Sequence, residues 1–187
     1  GYYVSSVSGD TDESGKTASF TVRLRSEPAD NITIYVASSD TSEGILTVSS
    51  LDFTTTDWNA DQTVTITGVA DNLSDGDQSY AIRLMADNTT SDLGYKYVDP
   101  EDVTLKNLDT EKGGYYVSSV SGDTDESGKT ASFTVRLRSE PADNITIYVA
   151  SSDTSEGILT VSSLDFTTTD WNADQTVTIT GVADNLS

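Results

Sequence analysis

Thr17-Ala18-Ser19-Phe20-Thr21-Val22-Arg23-Leu24-Arg25 alternates without a fault. Ala18, Phe20, Val22 and Leu24 fall on one side; Ser19, Thr21, Arg23 and Arg25 fall on the other. Successive side chains of an extended chain point to opposite faces, so this period specifies a strand with one apolar and one wet face. The period returns on either side of it. Ile32, Ile34 and Val36 point inward within 31–37, Val64 and Ile66 within 62–69, Tyr80, Ile82 and Leu84 within 79–86, and Val103 and Leu105 within 102–108. Residues 2–8 alternate imperfectly and predict a first strand with a bulge. Residues 45–49 predict a short strand, Leu51 and Phe53 add core, and Trp58 plugs one end. Turn formers separate these runs: an acidic turn at 9–16, Glu27-Pro28-Ala29-Asp30, a polar loop at 38–44, and a longer connection at 87–100 carrying Tyr95 and Tyr97. About seven strands divided by turns is the pattern of an all-β, immunoglobulin-like antiparallel β-sandwich.

The chain repeats itself. Gly1 to Ser74 recurs residue for residue as Gly114 to Ser187, a period of 113 residues. That length suits one sandwich domain. The expected organisation is a complete repeat at 1–113 and an identical second repeat at 114–187 that holds its first five or so strands. The second repeat has no counterpart of Asp75, Gly76 and Asp77 or of the last two strands, so a further stretch of chain or a neighbour is expected to complete it.

Composition narrows the function. The 187 residues carry 31 Asp and Glu against 10 Lys and Arg, a net charge of −21. Such a surface repels nucleic acid and anionic lipid, so neither is expected as a partner. Cys and His are both absent. Thiolate metal sites, disulfides and every His-dependent triad are thereby excluded. No apolar run approaches the ~18 residues of a membrane span, so no membrane insertion is expected.

What chemistry there is must lie in the acidic loops. Ala70-Asp71-Asn72-Leu73-Ser74-Asp75-Gly76-Asp77 places three carboxylates close together, where they repel one another unless a cation sits among them. Successive strands run antiparallel, so every second turn falls at the same end of a sandwich. The Asp10–Glu13 turn, the Asp40 loop, the Asp71–Asp77 loop and the Asp109–Glu111 tail are all in that phase. Hard carboxylate oxygens at one end point to Ca²⁺. An EF-hand does not fit: a loop starting at Asp10 has Thr21 where the bidentate Glu belongs, and one starting at Asp71 has Leu73 at its third position. Thr63, Thr65 and Thr67 form an outward row that could meet ice, and Tyr2, Tyr3, Tyr95 and Tyr97 could stack on sugars or pack at a domain junction. No positioned acid or nucleophile can be argued, so no enzyme is expected.

Several segments in fixed order resemble the Calx-beta family and its relatives in large bacterial surface proteins. They are Glu13-Ser-Gly-Lys-Thr-Ala-Ser-Phe-Thr-Val-Arg-Leu, Ser39-Asp40-Thr41-Ser42-Glu43-Gly44, Leu51-Asp-Phe-Thr-Thr-Thr-Asp-Trp58-Asn, Gln62 through Asp71-Asn72, Asp75-Gly-Asp77-Gln-Ser-Tyr80, and Asp102 through Asp109. The resemblance implies a seven-stranded calcium-binding sandwich used in exchanger regulation and adhesion arrays. It implies ligands at Glu13, Asp40, Asp71, Asp75 or Asp77, and Asp109. Asn72 stands where the family often has a second Asp, and Asp77 where Glu is common, which implies fewer or weaker calcium sites than in exchanger domains. The expected function is a calcium-stabilised structural module of an extracellular or cell-surface adhesin stalk or filament, with identical repeats as its partners. The alternative is a module that binds a glycan, ice or another surface ligand.

Overall fold

The computed structural model describes residues 1–183. They divide into two compact units. The first comprises Gly1–Asp71 and Asp75–Thr110; the second comprises Asn72–Ser74 and the chain from Glu111 onward.

The first unit is a two-layer β-sandwich of strands β1 (Tyr2–Val4), β2 (Thr11–Asp12), β3 (Thr17–Leu24), β4 (Ile32–Ser38), β5 (Gly44–Leu46), β6 (Ser50–Phe53), β7 (Gln62–Gly68), β8 (Gln78–Ala86) and β9 (Val103–Leu108). One sheet has the order β1-β3-β7-β5 and the other β2-β9-β8-β4-β6. The alternation in β3 is realised as read: Ala18, Phe20, Val22 and Leu24 are buried, with Phe20 opposite Val64 on β7. Ile32, Ile34 and Val36 of β4, Ile66 of β7 and Ile82 and Leu84 of β8 close the core from both sides. Burying a side chain of this size is worth ~1.5–3 kcal/mol, so this layer dominates the unit's stability. Trp58 packs against the core, and its carbonyl accepts the Leu24 N–H at 2.9 Å.

Two segments differ from the sequence reading for one reason: the chain changes sheet. The first strand starts on β3, where Tyr2 faces Leu24 and the Ser5 and Ser8 N–H groups still reach Thr21 and Ser19. It then crosses the sandwich, and Thr11 and Asp12 pair in parallel with Asn107 and Leu108 of β9. The 9–16 stretch, expected as a turn, therefore contains a strand. The crossing is tight. A Cβ on Gly68 would stand 2.1 Å from the Asp12 carbonyl oxygen, so β7 needs glycine there. The run read as a short strand at 45–49 pairs with β7 only as far as Leu46, in β5; the chain then passes to the other sheet, where β6 carries Leu51 and Phe53 against β4, and Ile45 faces solvent.

At the end where the chain enters, Tyr95 is buried. Its hydroxyl donates to the Ser26 carbonyl at 2.6 Å, and its ring meets Tyr2 edge-on at 5.4 Å. Tyr2 is packed rather than displayed. Burial and the neighbouring Tyr95 push its hydroxyl up to about 12. Tyr3 and Tyr97 are exposed beneath Arg23 and Lys96.

The second unit contains β10 (Tyr115–Val117), β11 (Thr130–Leu137), β12 (Ile145–Tyr148), β13 (Gly157–Leu159), β14 (Ser163–Phe166) and β15 (Gln175–Gly181). Its sheet β10-β11-β15-β13 reproduces β1-β3-β7-β5 register for register, Phe133 facing Val177 as Phe20 faces Val64. Among the described residues β12 pairs with β14 alone. Leu73 forms a parallel bridge with Glu140 within this unit. The second copy of the Asp71–Ser74 loop lies outside the described residues. No helix is long and apolar enough to cross a membrane among the described residues.

Identical side chains are thus seen with and without the cover of β8 and β9. Phe20 is buried whereas Phe133 is half-buried, and Ile34 is buried whereas Ile147 is half-buried; Phe53 and Phe166 are buried alike. The same truncation should therefore cost different amounts in the two copies. Phe20→Ala should destabilise the first unit by ~3–5 kcal/mol. Phe133→Ala should destabilise the second by less than half of that, read by amide hydrogen exchange on β3 and β11 in denaturant.

Candidate functional site

The crossing of β2 onto β9 builds the acidic end. Asn107 follows Val103 and Leu105 in inward phase and is buried. Its amide Nδ2 donates to the Val69 carbonyl at 2.8 Å and to Glu43 Oε2 at 3.3 Å. Its Oδ1 accepts from the buried Thr11 hydroxyl at 3.0 Å, and that hydroxyl lies 2.9 Å from the Tyr80 hydroxyl. A proton order running from Tyr80 to Thr11 to Asn107 satisfies each member. The network is closed and buried, and such groups are costly to leave unmade.

Carboxylates ring it. Glu13 is 8% exposed, and its Oε2 accepts the Thr110 N–H at 2.9 Å. Asp109 Oδ2 accepts the Gly76 N–H at 2.8 Å, and the Asp109 N–H points to Asp77 Oδ1 at 3.4 Å. Gly76 sits at φ +85°, a left-handed conformation that turns the loop back toward β9. One carboxylate oxygen of Glu13 and one of Asp109 lie within 4.8 Å of each other. The Lys106 ammonium is 3.8 Å from Asp77 and half exposed, so it offsets little of this charge.

A second acidic group lies around Glu43, which is 9% exposed. Burial pushes its carboxyl above the usual range, the Asn107 hydrogen bond opposes that, and the charges of Asp71, Asp40 and Asp75 push it further up. Asp40 forms its own turn, accepting the Ser42 N–H at 3.0 Å and the Ser42 hydroxyl, and those bonds hold its carboxyl low.

The residues proposed from sequence are placed as follows. Glu13 and Asp109 come together, with Asp77 hydrogen-bonded to the Asp109 backbone. Asp40, Asp71 and Asp75 act on Glu43 through their charge. Sequence reasoning passed over Glu43, Asn107 and Thr11. Asn107 had a legible signal, a polar residue in the inward phase of an otherwise apolar strand. Glu43 precedes its strand and had none. In the second segment the counterparts of Glu13 and Glu43, Glu126 and Glu156, are exposed.

No family model matches the chain, and no curated protein matches it. Solved structures resemble it at low identity. The calcium binding domain CBD12 of CALX1.1 is 16% identical, covering 94% of this chain and 73% of that one, with a TM-score of 0.41. CBD12 from CALX1.2 is 13% identical, covering 96% and 73%, with a TM-score of 0.39. The class 5 fimbriae chaperone CfaA is 9% identical, covering 93% and 81%, with a TM-score of 0.44.

Glu43 gives a pH signature. Its carboxyl is raised in the folded state, so the folded protein holds that proton more tightly than the unfolded chain. Its contribution favours folding below the ordinary glutamate range and is lost as pH rises through the raised value. In metal-free buffer Glu43→Gln should therefore raise the melting temperature at pH 7 and leave it almost unchanged at pH 4. Thermal melts of both proteins across that range check this.

Proposed function

We propose that the first unit is a calcium-stabilised structural module of a tandem array in an extracellular fibre or adhesin stalk. The observation that carries the reading is the Glu13–Asp109 pair. Two carboxylates this close, one of them buried, repel unless a proton or a cation lies between them. Calcium bonds oxygen at ~2.3–2.6 Å, which allows two ligand oxygens up to about 5 Å apart. The donors at hand are all oxygen, which suits a hard cation. Glu13, Asp109 and Asp77 would hold the ion, and Glu43 with Asp40, Asp71 and Asp75 would feel its field. Bound there, calcium supplies charge neutralisation and joins the ends of β2, β8 and β9.

The threading of the unit supports a structural role. Tyr2 lies beside Leu24 at the end of β3, and Leu108 lies beside Asp12 just before β3 begins. The chain enters at one end and leaves at the other, which suits an elongated array of identical modules. A site with few carboxylates suits the ~10⁻⁴–10⁻³ M affinity range of extracellular calcium modules. We assign the acidic end no catalytic role, because no nucleophile or positioned general acid stands beside its carboxylates among the described residues. A ligand-binding role for the Thr63, Thr65 and Thr67 row is the competing reading; it is favoured if a glycan array or an ice-affinity test is positive while calcium has no effect on stability.

Calcium at about ten times its dissociation constant should stabilise the first unit by ~1.4 kcal/mol. That corresponds to a rise of ~5–10 °C in its melting temperature. Glu13→Gln and Asp109→Asn should each abolish most of the rise. Calorimetry with calcium and with chelator decides it, and identical melting curves in the two conditions refute the proposal.

A further inference from the structure

The arginines of this acidic chain are not scattered. Four of the five, with both tryptophans, stand in two small grooves, one in each unit. In the first unit Tyr3 on β1 is opposite Arg23 on β3, and the Arg23 guanidinium lies over the Tyr3 ring at 4.6 Å. Trp58 is tied to the same strand by its carbonyl, which accepts the Leu24 N–H at 2.9 Å. With Arg25 and Asn59 these residues line a groove of about 530 Å³. The second unit builds the groove again. Arg136 lies over Tyr116 at 4.9 Å, the Trp171 carbonyl accepts the Leu137 N–H at 2.9 Å, and with Arg138 and Asn172 they line about 390 Å³. Both volumes are those of small-molecule sites.

The guanidiniums are held in place but not spent. Arg25 Nε donates to the Tyr2 carbonyl at 2.7 Å, and Arg138 Nε to the Tyr115 carbonyl at 2.9 Å. One anchored Nε fixes the plane of the fork and leaves the Nη donors for a ligand. Arg25 also borders Asp99 and Glu101, yet it forms no ion pair among the described residues. Arg23 meets Asp61 at 3.6 Å and Arg136 meets Asp174 at 3.8 Å, each pair about half exposed, so a ligand displaces them at little cost. The net charge of −21 does not outweigh the grooves. Exposed charges are screened over ~8 Å at physiological ionic strength, so an anion seated there feels the two guanidiniums first.

We infer that each groove is a binding site for an acidic sugar, a uronic acid residue of an anionic polysaccharide. The planar guanidinium takes the ring carboxylate through paired N–H donors. Tyr3 and Trp58 supply aromatic carbon against which the C–H face of the sugar rests, and the Asn59 amide offers both a donor and an acceptor to its hydroxyls. Charge density separates this ligand from nucleic acid, whose closely spaced phosphates the acidic surface repels. An acidic peptide would satisfy the arginines and leave the aromatic walls uncovered. The site is distinct from the acidic end and needs no calcium.

The two tryptophans make the test direct, since each stands in one groove and the chain has no other. The intact chain is titrated with oligogalacturonate in buffer containing chelator, and the two indole N–H signals are followed by NMR. Both should shift saturably with similar dissociation constants, and the affinity should fall as salt is raised. The methyl ester of the same oligomer keeps the rings and loses the charge; it should bind at least about tenfold more weakly. A glutamate oligomer of equal charge, which tests for a site that reads carboxylates alone, should be weaker by a similar factor. Arg25→Gln should weaken binding about tenfold at Trp58 and leave Trp171 unchanged, so the second groove is the folded control within one molecule. Absence of a saturable shift at both indoles overturns the inference. So does equal binding of the ester or of the glutamate oligomer, or an Arg25→Gln chain whose Trp58 binds as before.

Discussion

The structure of the first unit depends on the transfer of its opening strand from one sheet to the other. Two residues, Thr11 and Asp12, make the parallel contact with β9, and the contact exists because Thr11 and Asn107 satisfy each other inside the sandwich. Gly68 leaves the room for the crossing backbone. Without that transfer Glu13 would sit in an ordinary exposed turn, as its counterpart Glu126 does in the second segment. With it, Glu13 is set against Asp109, and Asn107 ties the crossing to Glu43. The acidic end is therefore a consequence of a polar network beneath it.

Two copies of one sequence make the energetics visible. The sheet built from β1, β3, β5 and β7 is reproduced by the second copy with the same pairings, so its local sequence is sufficient to specify it. Of the other layer, the described residues reproduce the β4–β6 pairing alone, as β12–β14. Thr11 is buried and Thr124 is half-exposed; Glu43 is buried and Glu156 is exposed. Burial of these groups is set by β8 and β9, which follow them by 35 residues or more in the chain. Burial under that cover pushes the Glu43 carboxyl above its usual range, so the acidic end and the core are completed by the same hairpin.

Much of this was legible in the sequence. The period-two runs at β3, β4, β7, β8 and β9 placed the core correctly because a one-residue slip would turn every apolar side chain to water. Strand counting brought the acidic loops to one end for an equally simple geometric reason. The places where the chain changes sheet were not legible. A strand of two residues has no period, and Ile45 looks like core although it faces solvent. Glu43 was hidden because its burial depends on Asn107, which lies 64 residues away.

The claim that matters most is that a divalent cation occupies the end built by Glu13 and Asp109. A calcium titration of the isotopically labelled chain, followed residue by residue by NMR, tests it most directly. The account predicts saturable shifts at the backbone amides of Glu13, Gly76, Asp77, Asp109 and Thr110, with little change at Glu126. Spectra unaltered by millimolar calcium, or shifts of equal size at Glu13 and Glu126, would contradict it.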